Sequence, residues 1–159
     1  MKLALHAREL VPRFEARSVR AGDVRALGEL MYAGFRESVE PVEELPVEIM
    51  VAQETLEGKY GPLLAESSLV VEDEEGELLA ACLVSLFPSG PHVVHMVTRP
   101  GHRGKGIGTE LLLRAANSLA ESGYDELSLY VLPENEDAKR LYRRLGFEEA
   151  GRVDVREPF

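Results

Sequence analysis

A glycine-rich, basic stretch, RPGHRGKGIGTELL at positions 99–112, has the residue types that bind an anion. Its glycines let the backbone approach a ligand with no Cβ in the way. An apolar pattern at helical spacing follows, and the first turn of a helix offers unbonded N–H groups and the positive end of the helix dipole. The stretch therefore predicts a phosphate-binding loop, with a solvated turn before an ordinary helix as the simpler alternative.

The distribution of charge around this loop favours an anionic ligand. The chain has a formal net charge of -10 and 28 Asp and Glu residues, yet none of these lies between Leu78 and Thr109. The same window holds Arg99, Arg103, Lys105 and three of the four histidines. Buried strands exclude acids, but the loop itself is not a strand. An acidic protein thus keeps one segment basic, as a phosphorylated ligand requires.

Two common phosphate-binding motifs do not fit the loop. The P-loop would place its GK at Gly104 and Lys105, but position 99 is then Arg instead of Gly and position 106 is Gly instead of Ser or Thr. The dinucleotide fingerprint G-x-G-x-x-G lacks its third glycine, because Thr109 and Leu111 stand at the two candidate positions. A nucleotide-binding module that uses the loop in another way stays open as an alternative.

Composition places the chain among ordinary globular proteins. It has 159 residues, 45% hydrophobic and 29% charged, which suits a single domain over 1–159 with residues 1–12 as an N-terminal extension. The single cysteine, Cys82, gives no disulfide and no metal cluster, so we expect a cytoplasmic protein without a metal. The negative charge disfavours nucleic acid as a partner, and no apolar run approaches the ~20 residues of a membrane span.

The hydrophobic pattern predicts the order β-α-α-β-β-β-α-β-α-β. Strands are predicted over residues 14–20, 67–73, 78–87, 92–98, 126–132 and 147–155. Helices are predicted from Asp23, as N-cap, to Phe35 and over residues 47–60, 109–121 and 135–145, the last two ending at Gly123 and Gly146. Meandering strands followed by βαβ units are typical of an α/β (α+β) fold around a mixed sheet.

Two elements of the chain together resemble the GNAT superfamily of N-acetyltransferases. Residues 103–108, RGKGIG, are similar to its R/Q-x-x-G-x-G/A signature. Its N-x-x-A-x-x-x-Y-x-x-x-G-F element is matched by Asn135, Ala138, Tyr142, Gly146 and Phe147. The resemblance covers roughly residues 14–155. It implies a mixed, mostly antiparallel central sheet of about six to seven strands, flanked by about four helices.

The resemblance further implies acetyl-CoA as cosubstrate. Its pyrophosphate would lie on backbone N–H groups of the loop, and its pantetheine arm would pair with the preceding strand. The loop residues are Arg103, Gly104, Lys105, Gly106, Ile107, Gly108 and Thr109, and the strand residues are Met96, Val97 and Thr98. Asn135 would contact the cofactor, although its position before Glu136 and Asp137 equally suits a helix N-cap.

Tyr142 would be the general acid that protonates the departing CoA thiolate. The parent thiol has a pKa of ~8.5, so its thiolate leaves more readily when a proton donor is present. The alternative is packing, because Tyr142 belongs to an apolar stripe at helical spacing with Ala138, Leu141 and Leu145.

His92 and His95 are the candidates for a general base, since an attacking amine must lose a proton. They are three residues apart, so a regular strand would turn them to opposite faces, and only one would meet the substrate. By its spacing from Arg103, His92 has the parity that relatives often use for a base. Each could equally be a packed sheet residue. The oxyanion of the tetrahedral intermediate would be bound by a backbone N–H near Val97. Cys82 is expected to be a buried, inert thiol.

These observations lead to an acetyl-CoA-dependent N-acetyltransferase that works by direct attack of an amine in a ternary complex. A CoA-binding sensor without catalysis is the alternative within the same fold. The acceptor, a small-molecule or peptide amine, would bind among residues 30–62 and 88–92. There, the acid-rich run from Glu37 to Glu48 could attract a polyamine or a basic peptide, or simply be solvated. A homodimer through a C-terminal sheet edge is a further expectation.

Overall fold

A computed structural model of the chain describes residues 1–36, 38–39 and 41–151. Six strands and four α-helices are formed by these residues. The strands are β1 (Lys2–Ala4), β2 (Arg17–Ser18), β3 (Leu69–Glu72), β4 (Leu78–Phe87), β5 (Gly90–Thr98) and β6 (Glu126–Leu129). The helices are α1 (Val24–Phe35), α2 (Leu45–Leu56), α3 (Ile107–Glu121) and α4 (Glu136–Arg144). No helix of the described residues is long and apolar enough to cross a membrane.

The six strands form one sheet in the order β1-β6-β5-β4-β3-β2. All neighbouring pairs are antiparallel except β5 and β6, which are joined through α3 and run parallel. This architecture confirms the expected mixed, mostly antiparallel sheet flanked by four helices. The parallel strands β5 and β6 form a βαβ unit, in which a crossover helix, here α3, connects two parallel strands.

Two hydrophobic cores cover the two faces of the sheet. On one face, α3 and α4 pack on alternate residues of β4 and β6, including Cys82, Val84 and Leu127. On the other face, α1 and α2 pack on the intervening residues of β4, such as Ala81 and Leu83. The alternation along β4 explains why its sequence is apolar throughout, since both faces are covered.

The helix α1 lies close to its neighbours because two of its residues are glycines. A Cβ on Gly28 would come within 2.5 Å of the Ile49 Cα atom in α2. A Cβ on Gly34 would come within 2.2 Å of the Val97 Cγ2 atom in β5. These contacts place the end of α1 directly over the middle of the sheet, beside the cavity described below.

Asp23 is the N-cap residue of α1, as the sequence predicts, but its side chain makes no capping hydrogen bond to that helix. It lies in a short 3-10 turn, where its carboxylate accepts the backbone N–H of Arg20 at 2.8 Å. The same carboxylate receives two hydrogen bonds from Arg17, each 2.8 Å long, and Arg17 also bonds Glu72. The Arg17 guanidinium lowers the pKa of Asp23, and this effect outweighs burial, which acts in the opposite direction.

The largest correction to the predicted elements concerns the N-terminal residues. No element is evident in 1–12 from sequence, yet Lys2–Ala4 form β1 beside β6. The predicted strand over 14–20 shrinks to Arg17–Ser18, because the backbone of Phe14 is bonded to α3 instead of to a strand.

The other differences lie at element ends. The helix α2 begins at Leu45 because Pro46 fits the first helical turn, where no N–H is needed, and it ends at Leu56 instead of residue 60. Of the predicted last strand, 147–155, a single bridge from Glu148 to Lys2 is present, and residues 152–155 lie outside the described part. Gly123 and Gly146 adopt positive φ just after α3 and α4, as predicted.

Candidate active site

The basic loop between β5 and α3 has the backbone of an anion site. Gly101, Gly104 and Gly106 have φ angles of 89°, 79° and 84°, which L side chains rarely adopt. The first bond inside α3 runs from the N–H of Glu110 to the carbonyl of Gly106, at 3.0 Å. The N–H groups of residues 107–109 therefore have no acceptor within the helix and point out of its N-terminus.

The guanidinium groups of two arginines, Arg103 in the signature and Arg13 in the N-terminal segment, bond the loop to its surroundings. The Arg103 guanidinium donates to the carbonyl of Gly34 in α1. Arg13, which sequence reasoning missed, donates to the carbonyl of Lys105 at 3.2 Å. The carboxylate of Glu110 accepts the backbone N–H of Arg13 at 2.7 Å, so the N-terminal segment is fixed against the start of α3.

A cavity of about 1270 Å³ begins at this loop and passes through the sheet. The strands β5 and β6 pair at His92–Ser128 and at Val93–Leu129, where β6 ends, and residues 94–98 and 130–131 beyond that point all line the cavity. The cavity is lined by residues from both faces, from Tyr142 of α4 to Phe35 of α1. The gap between the strands therefore connects the anion site with the face covered by α1 and α2.

Almost all of the predicted site residues meet on this cavity. They are His92, His95, Met96, Val97, Thr98, Arg103, Gly104, Gly106, Ile107, Gly108, Thr109, Asn135 and Tyr142. Lys105 is the predicted residue that does not line it, since its side chain is exposed and its carbonyl is bonded to Arg13.

The loop end of the cavity suits the phosphates and pantetheine arm of a CoA ester. A Cβ on Gly108 would come within 2.9 Å of the Met96 Cε atom and 3.1 Å of the Thr98 Oγ1 atom, so only glycine keeps this wall open. Among the described lining residues, Asp137 is the one carboxylate, and it is ion-paired with Arg140. Anionic groups would thus meet N–H donors and little negative charge.

Backbone groups of β5 are also directed into the gap. The N–H of Arg99 donates to the carbonyl of Leu79 in β4, at 2.7 Å. Because N–H groups alternate in direction along a strand, that of Val97 also points toward β4, and those of Met96 and Thr98 point toward the gap. An extended arm could pair with these two, and the predicted oxyanion donor near Val97 is now expected from Met96 or Thr98.

Asn135 is the N-cap of α4. Its side-chain oxygen accepts the backbone N–H of Ala138 at 3.2 Å, and Glu136 and Asp137 follow in the first turn. The capping alternative is therefore confirmed. Because Asn135 also lines the cavity, its contact with a cofactor stays a prediction.

Tyr142 lies half-buried on the cavity wall formed by α4. Its ring packs against Phe147, with the ring centroids 5.7 Å apart at a tilt of 58°. Packing fixes the ring on the α3 and α4 face of the sheet, beside the gap. Its role as general acid stays a prediction.

The side chains of His92 and His95 face the same side of the sheet, and the expectation of opposite sides is wrong. His92 is paired with Ser85 and His95 with Leu83, which are two residues apart on β4. The physical reason is a bulge at Val94, which inserts one extra residue into β5 and restores the parity. Both imidazoles therefore turn toward α1 and α2, and both line the cavity.

His95 is held by a hydrogen bond that defines its tautomer. The Thr55 hydroxyl donates to the carbonyl of Val51 at 2.8 Å, so it accepts from the Nε2–H of His95 at 2.9 Å. The Nδ1 atom then carries the lone pair. Burial lowers the pKa of His95 to about 4, which keeps the ring neutral at pH 7.

His92 is similarly buried and neutral. Its Nδ1 atom lies 2.8 Å from the Ser128 hydroxyl, and its ring stacks on Phe87 with the centroids 4.3 Å apart. Burial, with a smaller effect of the positive Met1 amine, lowers the pKa of His92 to about 4. Both histidines can accept a hydrogen bond, but neither is a strong base.

Cys82 lies fully buried in the core beneath α3, as predicted. Burial raises the pKa of its thiol to about 12, so it is not a nucleophile at neutral pH. Within the described ranges, no three potential metal ligands come together.

Sequence reasoning missed the aromatic side chains at the far end of the cavity. Phe35, Tyr60 and Phe87 line it there, together with Val51. They come from α1, from the segment after α2, and from the end of β4, so no local spacing brings them together.

Comparison with known proteins agrees with this geometry. Residues 33–147 match the model of the acetyltransferase (GNAT) family. A mycothiol acetyltransferase of Clavibacter sepedonicus is 35% identical over 89 residues, which is 56% of this chain and 29% of that protein. The chain thus spans less than a third of the length of this curated relative.

Solved structures show the same fold at lower identity. The ribosomal-protein-S18-alanine N-acetyltransferase from Escherichia coli has a TM-score of 0.69 at 21% identity, covering 86% of this chain and 79% of that one. The PaiA N-acetyltransferase from Thermoplasma acidophilum, in complex with coenzyme A, has a TM-score of 0.69 at 19% identity, covering 89% and 92%.

Proposed function

The chain belongs to the acetyltransferase (GNAT) family, and on that premise we propose that it transfers an acetyl group from acetyl-CoA to a primary amine. The observation that carries this proposal is the cavity through the sheet. It joins an anion site and Tyr142 on one face to two neutral imidazoles on the other. A donor and an acceptor could thus approach the gap from opposite faces and meet between β5 and β6.

The residues of the loop end would hold acetyl-CoA. The N–H groups of residues 107–109 and the Arg103 guanidinium would bind the pyrophosphate. Met96 and Thr98 would pair with the pantetheine arm, and Asn135 would border it. When bound, acetyl-CoA supplies an activated acetyl thioester, which places the reacting carbon in the gap.

The transfer needs one proton donor and one route for a proton to leave. The amine nitrogen forms a bond to the acetyl carbon, and the carbon–sulfur bond breaks. Tyr142 would give its proton to the departing sulfur, and the nitrogen loses a proton to water. The products are an amide and a free thiol, and solvent restores the proton of Tyr142.

The imidazoles would orient the amine and would not act as strong bases. With a pKa of about 4, each imidazole stays neutral and accepts a hydrogen bond at pH 7. The Nδ1 atom of His95 is the acceptor that Thr55 leaves available, so it would hold the amine or a bridging water. The amine that reacts is then the fraction of the acceptor that is already deprotonated in solution.

The experiment that tests this proposal measures thiol release and ligand binding together. The protein is incubated with acetyl-CoA and a panel of primary amines, and thermal shifts are recorded for CoA, ATP and NAD. We expect amine-dependent thiol release and stabilisation by CoA. Stabilisation by ATP or NAD but not by CoA would overturn the proposal. CoA binding with no thiol release would favour the alternative, a CoA-binding sensor without catalysis.

Tyr142→Phe provides the mechanistic arm of the experiment. It should lower kcat about 100-fold while keeping the CoA thermal shift, because only the proton donor is removed. Tyr124→Phe is the matched control, since this tyrosine packs on the same core but does not line the cavity. Equal activity of the two variants would show that Tyr142 only packs.

The proposal includes a cytoplasmic location, which a lone buried cysteine suits.

A further inference from the structure

The end of the cavity farthest from the glycine loop has a distinct wall, which we call the acceptor end. Its side chains include Phe35, Val51, Tyr60 and Phe87, the imidazoles of His92 and His95, and Ser38 and Val39 of the segment after α1. Three of them are Phe or Tyr, and the Phe87 ring is held in place by its stack on His92, with the ring centroids 4.3 Å apart. The wall therefore offers flat apolar surfaces to whatever enters from the α1 and α2 face.

Three polar groups near the acceptor end are already bonded within the protein: the Tyr60 hydroxyl, the Ser38 hydroxyl, which donates to the carbonyl of Phe35, and the Nε2–H of His95. The Tyr60 hydroxyl donates to Glu54 at 3.4 Å, and Glu54 also accepts from Lys59 at 2.7 Å. The Nε2–H of His95 is bonded to Thr55. The ring of Tyr60 is thus the part that lines the cavity, and the carboxylate of Glu54 is ion-paired with Lys59.

Within the described residues, the acid-rich run that ends at Glu48 in α2 supplies no subsite for a cationic group. Glu48 is buried, and its carboxylate accepts the backbone N–H of Glu43 at 2.9 Å, which makes it a structural cap. Glu43 and Glu44 are exposed and do not line the cavity. The carboxylate that does line it, Asp137, belongs to α4 and is paired with Arg140.

A polyamine or a basic peptide would need carboxylates along the pocket to replace the water around each ammonium group. The described acceptor end has none, and both of its imidazoles are neutral. An aromatic ring, in contrast, would gain apolar contact with the side chains of Phe35, Tyr60 and Phe87. The chemistry of the wall therefore discriminates between these two classes of amine.

We propose that the acceptor is a small primary amine attached to an apolar aromatic group, an arylalkylamine, whose ring packs between Phe35, Tyr60 and Phe87. This inference rests on the proposed function, because it names the substrate of the same site. The amine would extend toward the Nδ1 atom of His95 and the gap, and the ring would stay on the α1 and α2 face.

The first test compares amines with the wild-type protein and acetyl-CoA. The probes are 2-phenylethylamine and tyramine against spermidine and a lysine-rich peptide, each followed by thiol release. We expect kcat/KM for the aryl probes to exceed that for spermidine by about tenfold or more. Faster transfer to spermidine or to the peptide overturns the inference and leaves the acetyltransferase proposal standing. Transfer to none of the probes, with no CoA binding, overturns both.

The second test changes the charge of the wall. Val51→Asp places a carboxylate at the acceptor end, and it should lower kcat/KM for 2-phenylethylamine about tenfold while raising the rate with spermidine relative to it. Phe35→Leu is the milder variant, which should raise KM for the aryl probes with little change in kcat. Folding of both is checked by the thermal shift with CoA.

Glu44→Gln is the matched control, because Glu44 is exposed and lies outside the cavity. It should leave the preference between the two amine classes unchanged. A loss of spermidine transfer in Glu44→Gln, with no effect of Val51→Asp on the aryl probes, would show that the acidic segment recruits the acceptor and would overturn the inference.

Discussion

His92 and His95 present their imidazoles to the same face of the sheet, one opposite Ser85 and the other opposite Leu83. The extra residue Val94 makes this possible, since it shifts the register of β5 by one between them. Two neutral rings thus line one cavity. His92 is buried and His95 is partly buried, and desolvation lowers the pKa of both, which links the site to the stability of the protein.

The two histidines should make stability fall between pH 7 and pH 5. The pKa of each is about 4 when folded, against an ordinary value of 6.5, so the unfolded chain binds more protons in this range. Stability therefore rises with pH. The contribution of the two histidines is fully present above about pH 6.5 and is lost as the pH falls toward 4. Each histidine should remove about 2 kcal/mol of unfolding free energy between pH 7 and pH 5. Urea unfolding at the two pH values measures this.

His92→Gln and His95→Gln should each reduce that pH dependence by about 2 kcal/mol. His102→Gln is the control, because His102 lies on the loop end and not in the core between the sheet and α2. If His92→Gln and His95→Gln both keep the wild-type slope, the rings are not buried in neutral form.

Gly108→Ala should weaken acetyl-CoA binding more than it weakens folding. Its Cβ would lie 2.9 Å from the Met96 Cε atom and 3.1 Å from the Thr98 Oγ1 atom, on the wall where the pantetheine arm would pass. Met96 can move aside, but into the cavity. We expect Kd for CoA to rise about tenfold or more by calorimetry, with an unfolding free energy within about 1 kcal/mol of wild type.

Gly22→Ala is the control for this variant, since a Cβ at Gly22 has no atom within 4 Å. It should leave CoA affinity unchanged and should not lower stability, because alanine at an unstrained position stabilises slightly. Wild-type affinity in Gly108→Ala would mean that the ligand does not pass along this wall.

Gly34→Ala should destabilise the fold, although alanine favours a helix. The Cβ would lie 2.2 Å from the Val97 Cγ2 atom, whose side chain is buried between α1 and β5. The helix must move away from the sheet, at a cost of about 1–3 kcal/mol that exceeds the gain in helix propensity. A lower midpoint of urea unfolding checks this, and the double variant Gly34→Ala with Val97→Ala should recover part of the loss.

Local features of the site could be predicted from the sequence, and long-range features could not. The glycine loop and the cap at Asn135 depend on a few neighbouring residues, so their spacing is informative. The bulge at Val94 depends on how β5 pairs with β4, and the three-residue β1 is too short to show a period. The acceptor end requires Phe35, Tyr60 and Phe87 to meet from distant parts of the chain, which only the folded structure reveals.

Glu110→Gln should loosen the N-terminal segment and weaken CoA binding through Arg13. The buried carboxylate of Glu110 accepts the backbone N–H groups of Arg13 and Phe14, at 2.7 and 3.1 Å, and Arg114 lies 3.7 Å from it. A glutamine keeps one acceptor and brings an NH₂ group against a backbone N–H, which should cost about 1–3 kcal/mol of unfolding free energy. Hydrogen exchange at residues 13–14 should accelerate.

The effect on the loop follows from the bond between the Arg13 guanidinium and the carbonyl of Lys105. Once the segment is loose, that bond is lost, and the positive φ conformation at Gly106 has one restraint less. Arg13→Gln removes the same bond and leaves the contacts of Glu110 with the backbone intact. We therefore expect both variants to raise Kd for CoA several-fold, and only Glu110→Gln to accelerate exchange. Unchanged affinity in both would show that Arg13 does not support the loop.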